Sequence, residues 1–146
     1  MLESSNGVND IEFAQKMSPF LGKPFSLGDR SKGWDCLNSM KAFFESVRMK
    51  FPDEFKGWTW GNYAERWKKE MNFTIFKEFL FSLGEPVERN FILPGDIIIF
   101  EKAGYVSAGI YLGSGNFQAV SNPHGVVRMP LRFFETAITG VRRLKK

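Results

Sequence analysis

The chemistry open to this chain narrows at once, because it carries a single cysteine, Cys36, and a single histidine, His124. A thiol attacks as its thiolate, and it needs a base or a positive field beside it. Cys36 lies in "GWDCLNSMKAFF", where a turn gives way to apolar residues at 36, 40, 43, 44, 47 and 51, a helical stripe that Pro52 closes. Asp35 takes the N-cap place, so Cys36 becomes the first helical residue, where unpaired N–H groups and the helix dipole favour a thiolate. The competing reading is a small residue at the start of a buried stripe, since free cysteine is among the most buried residue types. His124 sits in the turn cluster "SNPHGV" and reaches the thiol only if that loop folds back over it.

The same counts exclude other chemistry. One cysteine cannot close an intrachain disulfide, and one Cys with one His cannot supply the four ligands of a structural zinc site. No metal or cofactor is expected. The net charge of +4 is concentrated partly in the tail "VRRLKK", but no nucleic-acid motif accompanies it, so the tail is expected to be solvated decoration. The start "MLESSNGVNDIEF" has acidic residues and no apolar core of a secretory signal, and no later stretch is long enough to span a membrane. A soluble protein is expected, with its compartment left open.

The elements that position Cys36 follow from the rest of the chain. A length of 146 residues with 43% apolar and 16% aromatic content fits a single domain over 1–146. "DIEFAQKM" reads as a short helix capped by Asn9 or Asp10, followed by an irregular Gly, Pro and Ser-rich loop up to Gly33. A second helical stretch starts at Asn62, with Glu65 at capping-box spacing and Tyr63, Trp67 and Met71 as its apolar face. A third, "FTIFKEFLFSL", buries Phe76, Phe79, Leu80 and Leu83 and stops at Gly84 and Pro86. From Pro94 on, "DIIIFE", "YVSAGIYL", "NFQAV", "GVVRMP" and "AITGVRRL" are short β-branched or aromatic runs between turn residues, an antiparallel meander with a hairpin at "GSGN". Helices followed by strands predict an α+β fold, N-terminal helices packed on a C-terminal antiparallel sheet of five or six strands. The cluster "GWTWGNYAERW" can in principle line a groove, but core packing is the expected role of its rings.

Three blocks in order carry a resemblance. "LGKPFSLGDRSKGWDC" is similar to a segment that leads through glycines to Asp-Cys at a helix start; "LPGDIIIFE" and "SAGIYLGSGNFQAV" are similar to the strands that follow it, and "GVVRMPL" and "ITGVRRL" to the closing strands. Together they resemble the NlpC/P60 family of papain-like cysteine peptidases, and about residues 50–90 match nothing in that pattern. The resemblance implies a papain-like α+β fold, a cleft that includes Phe25, Asp35 and Leu37, and bacterial cell-wall stem peptides or another peptide as ligand. It places Cys36 as nucleophile, Ser107 where the family has its histidine, and Ala119, or Gln118 after a one-residue slip, where the family has the residue that orients that histidine.

A serine hydroxyl cannot serve as the general base, and alanine orients nothing. Phe25 replaces a tyrosine often found near the cysteine, and Leu37 and Asn38 replace a small Ser-Gly pair. A single engineered change at Ser107 would not account for the others. The expectation is therefore a peptidase-like domain that recognises cell-wall peptides with impaired hydrolysis, His124 being the one substitute base available. The alternative is a non-catalytic structural module, as in a phage tail tip or secretion assembly.

Overall fold

The computed structural model describes residues 15, 17–23, 35–121 and 124–144. Of the expected helix over 10–17, residues 15 and 17 are helical and the other positions lie outside the described residues, as does Phe25. Helix α1 (Cys36–Ser46) begins where Asp35 caps it: the Asp35 carboxylate accepts from the Asn38 N–H at 2.8 Å, and the Asn38 side-chain oxygen accepts from the Asp35 N–H at 2.9 Å. This capping box explains Asn38, since its amide oxygen satisfies a backbone donor that a small residue would leave open. The predicted stripe is buried, with Met40, Phe43, Phe44, Val47 and Phe51 all inside.

A two-stranded hairpin, β1 (Glu54–Phe55) and β2 (Trp58–Thr59), follows, and neither strand was expected. Helix α2 (Tyr63–Glu70) and helix α3 (Phe73–Ser82) come next. Asn62 precedes α2 without the expected capping box, because its side chain is committed to the hairpin, accepting from the Thr59 N–H at 2.8 Å and donating to the Gly57 carbonyl at 3.0 Å. Met71 also departs from its expected place on the apolar face: it ends α2 in the left-handed region at φ 40° and is 53% exposed. Asn72 caps α3 by accepting from the Ile75 N–H at 3.1 Å.

The sheet is antiparallel and six-stranded, in the order β3 (Glu85–Pro86), β8 (Ile138–Arg143), β4 (Ile97–Lys102), β5 (Tyr105–Gly113), β6 (Asn116–Ser121) and β7 (Gly125–Pro130). The β5–β6 turn carries Ser114 and Gly115 at φ 54° and 79°, the twist that a tight hairpin requires. Alternation divides β4 between two cores. Ile97 and Ile99 pack with Met40, Phe43 and Phe44 of α1, whereas Ile98 and Phe100 pack with Phe117 and, from the 3₁₀ segment Leu131–Ala137, Phe134. Each such side chain contributes about 1.5–3 kcal/mol by leaving water.

The start of β4 is fixed electrostatically. Asp96 is fully buried, and its two oxygens accept from Arg143 Nε at 2.8 Å and from its NH2 nitrogen at 2.9 Å. That bidentate bond raises the Arg143 pKa further above its ordinary value.

Candidate functional site

A cleft of about 230 Å³ opens where the N-terminus of α1 meets the β1–β2 hairpin, α2, α3 and the first residues of β5. Its floor is built around Asp35, Cys36 and Leu37, and Val106 and Ser107 contribute from β5. The resemblance placed Asp35 and Leu37 in such a cleft, and both line it. Cys36 is half-buried, and its carbonyl accepts from the Ser39 hydroxyl at 3.1 Å.

The electrostatics around the thiol are decided by burial. A helix N-terminus is worth about 0.3–1 kcal/mol to a nearby anion, whereas taking a charge out of water costs several kcal/mol. Asp35 adds to the second effect, since its carboxylate already occupies the helix start and stands next to the sulfur. Burial, followed by the Asp35 charge, pushes the Cys36 thiol well above the usual cysteine range. The thiol is therefore held protonated.

Tyr63, at the start of α2, completes the arrangement by donating its hydroxyl to the second Asp35 oxygen at 2.6 Å. Burial first, and then Asp35, raise the Tyr63 hydroxyl above the usual tyrosine range, so it remains a donor. Asn38 lies beside this pair with its side-chain nitrogen buried and without a hydrogen-bond partner among the described residues.

The remaining predicted positions separate. Ser107 pairs with Phe100 on β4 and lines the cleft with Cys36. Ala119 does not line it: the residue pairs with Val127 on β7 and packs against the Ile98, Phe100 and Phe117 cluster. The β5–β6 ladder pairs Ile110 with Gln118 and continues away from Ser107 toward the turn, so among the described residues β6 supplies no ladder partner opposite Ser107. Gln118 is fully buried and occupied, donating to the Met17 carbonyl at 3.0 Å and accepting from Arg128 at 2.8 Å. His124 is exposed at the turn before β7 and lies outside the cleft lining, so the fold-back that would make it a base is not present.

The sequence reading missed the opposite wall. Trp58, Trp60 and Trp67, expected in the core, are half-buried and line the cleft. Their rings are held by neighbours that line the cleft with them: Trp60 donates from its ring nitrogen to the Pro52 carbonyl at 3.2 Å and meets Tyr63 edge-on at 5.5 Å, and Trp67 meets Phe73 at 4.9 Å. The spacing of rings in "GWTWGNYAERW" was the available signal. Among the described residues, no group of three or more His, Cys, Asp or Glu is placed to hold a metal, and no helix is long and apolar enough to cross a membrane.

A family model described as the NlpC/P60 family matches residues 22–143. A gamma-DL-glutamyl hydrolase of Bacillus subtilis (strain 168) is 26% identical over 141 residues, covering 92% of this chain and 29% of the relative. An NlpC/P60 family protein from Bacillus cereus ATCC 10987 superposes with a TM-score of 0.61 at 19% identity, over 92% of this chain and 39% of that one. RipD from Mycobacterium tuberculosis, described as a non-catalytic NlpC/p60 domain protein with an adaptation to peptidoglycan binding, gives 0.58 at 17% identity over 92% and 95% of the two chains. The chain thus spans less than a third of the curated relative it matches.

Proposed function

This chain belongs to the NlpC/P60 family, and from that premise we propose that it recognises cell-wall peptides at the Cys36 cleft with little or no hydrolysis of its own. The observation that carries the reading is the lining itself: Cys36 at a helix N-terminus shares the cleft with Ser107, and no histidine lines it among the described residues. Acyl transfer needs a group to take the thiol proton, and a positioned general base contributes about 10²–10⁴-fold to rate. The Cys36 backbone N–H at the helix start would still hold an oxyanion, so ligand carbonyls retain a donor to dock on. RipD offers a precedent in which the fold is retained for binding.

The test pairs binding with turnover. The protein should co-sediment with purified peptidoglycan, leave soluble stem peptides uncut, and gain measurable cleavage as Ser107→His, an activity that Cys36→Ala in the same background removes. Robust cleavage by the unmodified chain that Cys36→Ala abolishes, or failure to bind either peptidoglycan or stem peptide, overturns the proposal.

A further inference from the structure

The tryptophan wall raises a question that the thiol does not answer: what part of a ligand this cleft holds. Its interior makes few polar demands, because the polar side chains there are already bonded within the protein. The two Asp35 oxygens accept from the Asn38 N–H and the Tyr63 hydroxyl, the Asn72 side-chain oxygen accepts from the Ile75 N–H, and the Trp60 ring nitrogen donates to the Pro52 carbonyl. Of the other polar residues that line the cleft, Asp53, Glu54 and Ser107 are exposed, Thr59 is half-buried, and the Cys36 thiol is a weak donor. A ligand group that carried its own charge inside would leave water without finding a partner there, whereas an apolar group loses nothing.

The rest of the interior is made of rings, and their arrangement says which apolar group suits it. Four pairs of lining residues meet steeply, edge toward face: Trp60 with Tyr63, Trp67 with Phe73 and with Phe76, and Phe55 with Phe79, at centroid separations of 4.9–5.9 Å. This is the geometry that the ring quadrupole favours, and another ring entering the cleft extends it, where an aliphatic chain gains burial alone. Size agrees, since apolar cavities of about 150 Å³ take up benzene. A cleft of about 230 Å³ has room for a phenyl ring and the methylene that carries it.

We propose that the wall from Pro52 to Phe79 is a pocket for one uncharged aromatic ring, the side chain of a peptide ligand. This rests on the peptide-recognition reading above for the chain that carries the ring, and it adds the side chain that the ligand must present. The polar backbone of such a ligand is left to Cys36 and Ser107, the polar lining residues that the body of α1 and β5 contribute.

N-acetyl-phenylalanine methylamide and its leucine, lysine and glutamate analogues form the test series. Tryptophan emission reports binding, since Trp58, Trp60 and Trp67 are three of the chain's four tryptophans. The phenylalanine compound should bind roughly two- to tenfold more tightly than leucine, and both should bind more tightly than either charged compound. Trp58→Leu keeps the wall apolar and removes a ring, so leucine binding should persist while the preference for phenylalanine shrinks. Ile75 is half-buried, lines the cleft and belongs to neither buried core, so Ile75→Trp should fill the space and abolish binding of both compounds with the circular dichroism spectrum unchanged. Equal or tighter binding of leucine, lysine or glutamate overturns the inference, as does binding of none of the four, or a phenylalanine preference that survives both substitutions undiminished. Co-sedimentation with peptidoglycan, run in parallel, separates the two readings. Co-sedimentation without discrimination among the four compounds removes the aromatic pocket and preserves cell-wall recognition, whereas phenylalanine binding without peptidoglycan or stem-peptide binding removes the latter and preserves the pocket.

Discussion

If Cys36 is held as a neutral thiol, it should make the fold less stable in alkali, and the size of the effect can be worked out. The ordinary thiol pKa is 9.0, and in the folded chain burial and Asp35 raise it well above that. Below pH 9 the sulfur is protonated in both folded and unfolded states, so its contribution is fully present. As pH rises past 9, the unfolded chain releases the proton and the folded chain does not, so stability falls with a limiting slope of about 1.4 kcal/mol per pH unit. By pH 10 the loss due to this one group is about 1.4 kcal/mol. Above pH 10, Tyr63 adds a second loss of the same sign, because its ordinary value of 10.0 is also raised. The assay is urea unfolding at half-unit steps from pH 7.5 to 10, on the protein and on Cys36→Ala. With an m value of about 1–3 kcal/mol/M, the difference between the two should drift by roughly 0.5–1.4 M in midpoint, the protein losing ground. Titrating groups that do not interact with Cys36 cancel in that difference, and ending the series at pH 10 keeps the contribution of Tyr63, which Cys36 also raises, small. A constant difference, or one in which the protein gains on Cys36→Ala as pH rises, refutes the reasoning. The latter is the signature of a thiolate held by the helix N-terminus, and it would restore Cys36 as an activated nucleophile.

Two further substitutions test the groups that build the site and its support. Asp35→Asn keeps a residue that caps as well as aspartate and removes the charge beside the sulfur, so iodoacetamide should label Cys36 faster at pH 8 with α1 intact; Asp35→Ala should instead cost about 1 kcal/mol in thermal melting through the lost cap. Unchanged labelling of Asp35→Asn would remove the carboxylate as a cause of the raised thiol. Asp96→Asn weakens the charge-assisted bonds to Arg143, which is partly exposed and keeps its bond to the Phe91 carbonyl, so it should destabilise by about 1.5–3 kcal/mol, lowering Tm by roughly 5–10 °C in circular dichroism. A loss under about 1 kcal/mol would mean that the pair behaves like a surface ion pair.

What the sequence made legible, and what it did not, has one physical cause. Periodicity reports which side of an element is apolar, and it placed Met40, Phe43 and Phe44 inside and Asp35 at the helix start, as found. It is silent about what stands across from that side. Asn62 has capping-box spacing with Glu65, but spacing could not reveal that the 57–59 turn takes its amide first. Ser107 and Cys36 line the same cleft, yet Ala119 is outside it, because the place where two strands stop pairing is set by their twist and partners rather than by local sequence. The tryptophans are the clearest case. Trp60 and Trp67 pack against Phe51, Tyr63, Phe73 or Phe76, so their pattern along the chain is that of core residues, while the cleft that they also line is defined only by the assembled hairpin and helices. The stretch that builds this wall is also the one that the family resemblance left unmatched. A family supplies the scaffold that presents the thiol, and the family model spans this stretch as well, so the residues that decide what this particular cleft holds are to be sought among the side chains that Asp53 to Phe79 present to it.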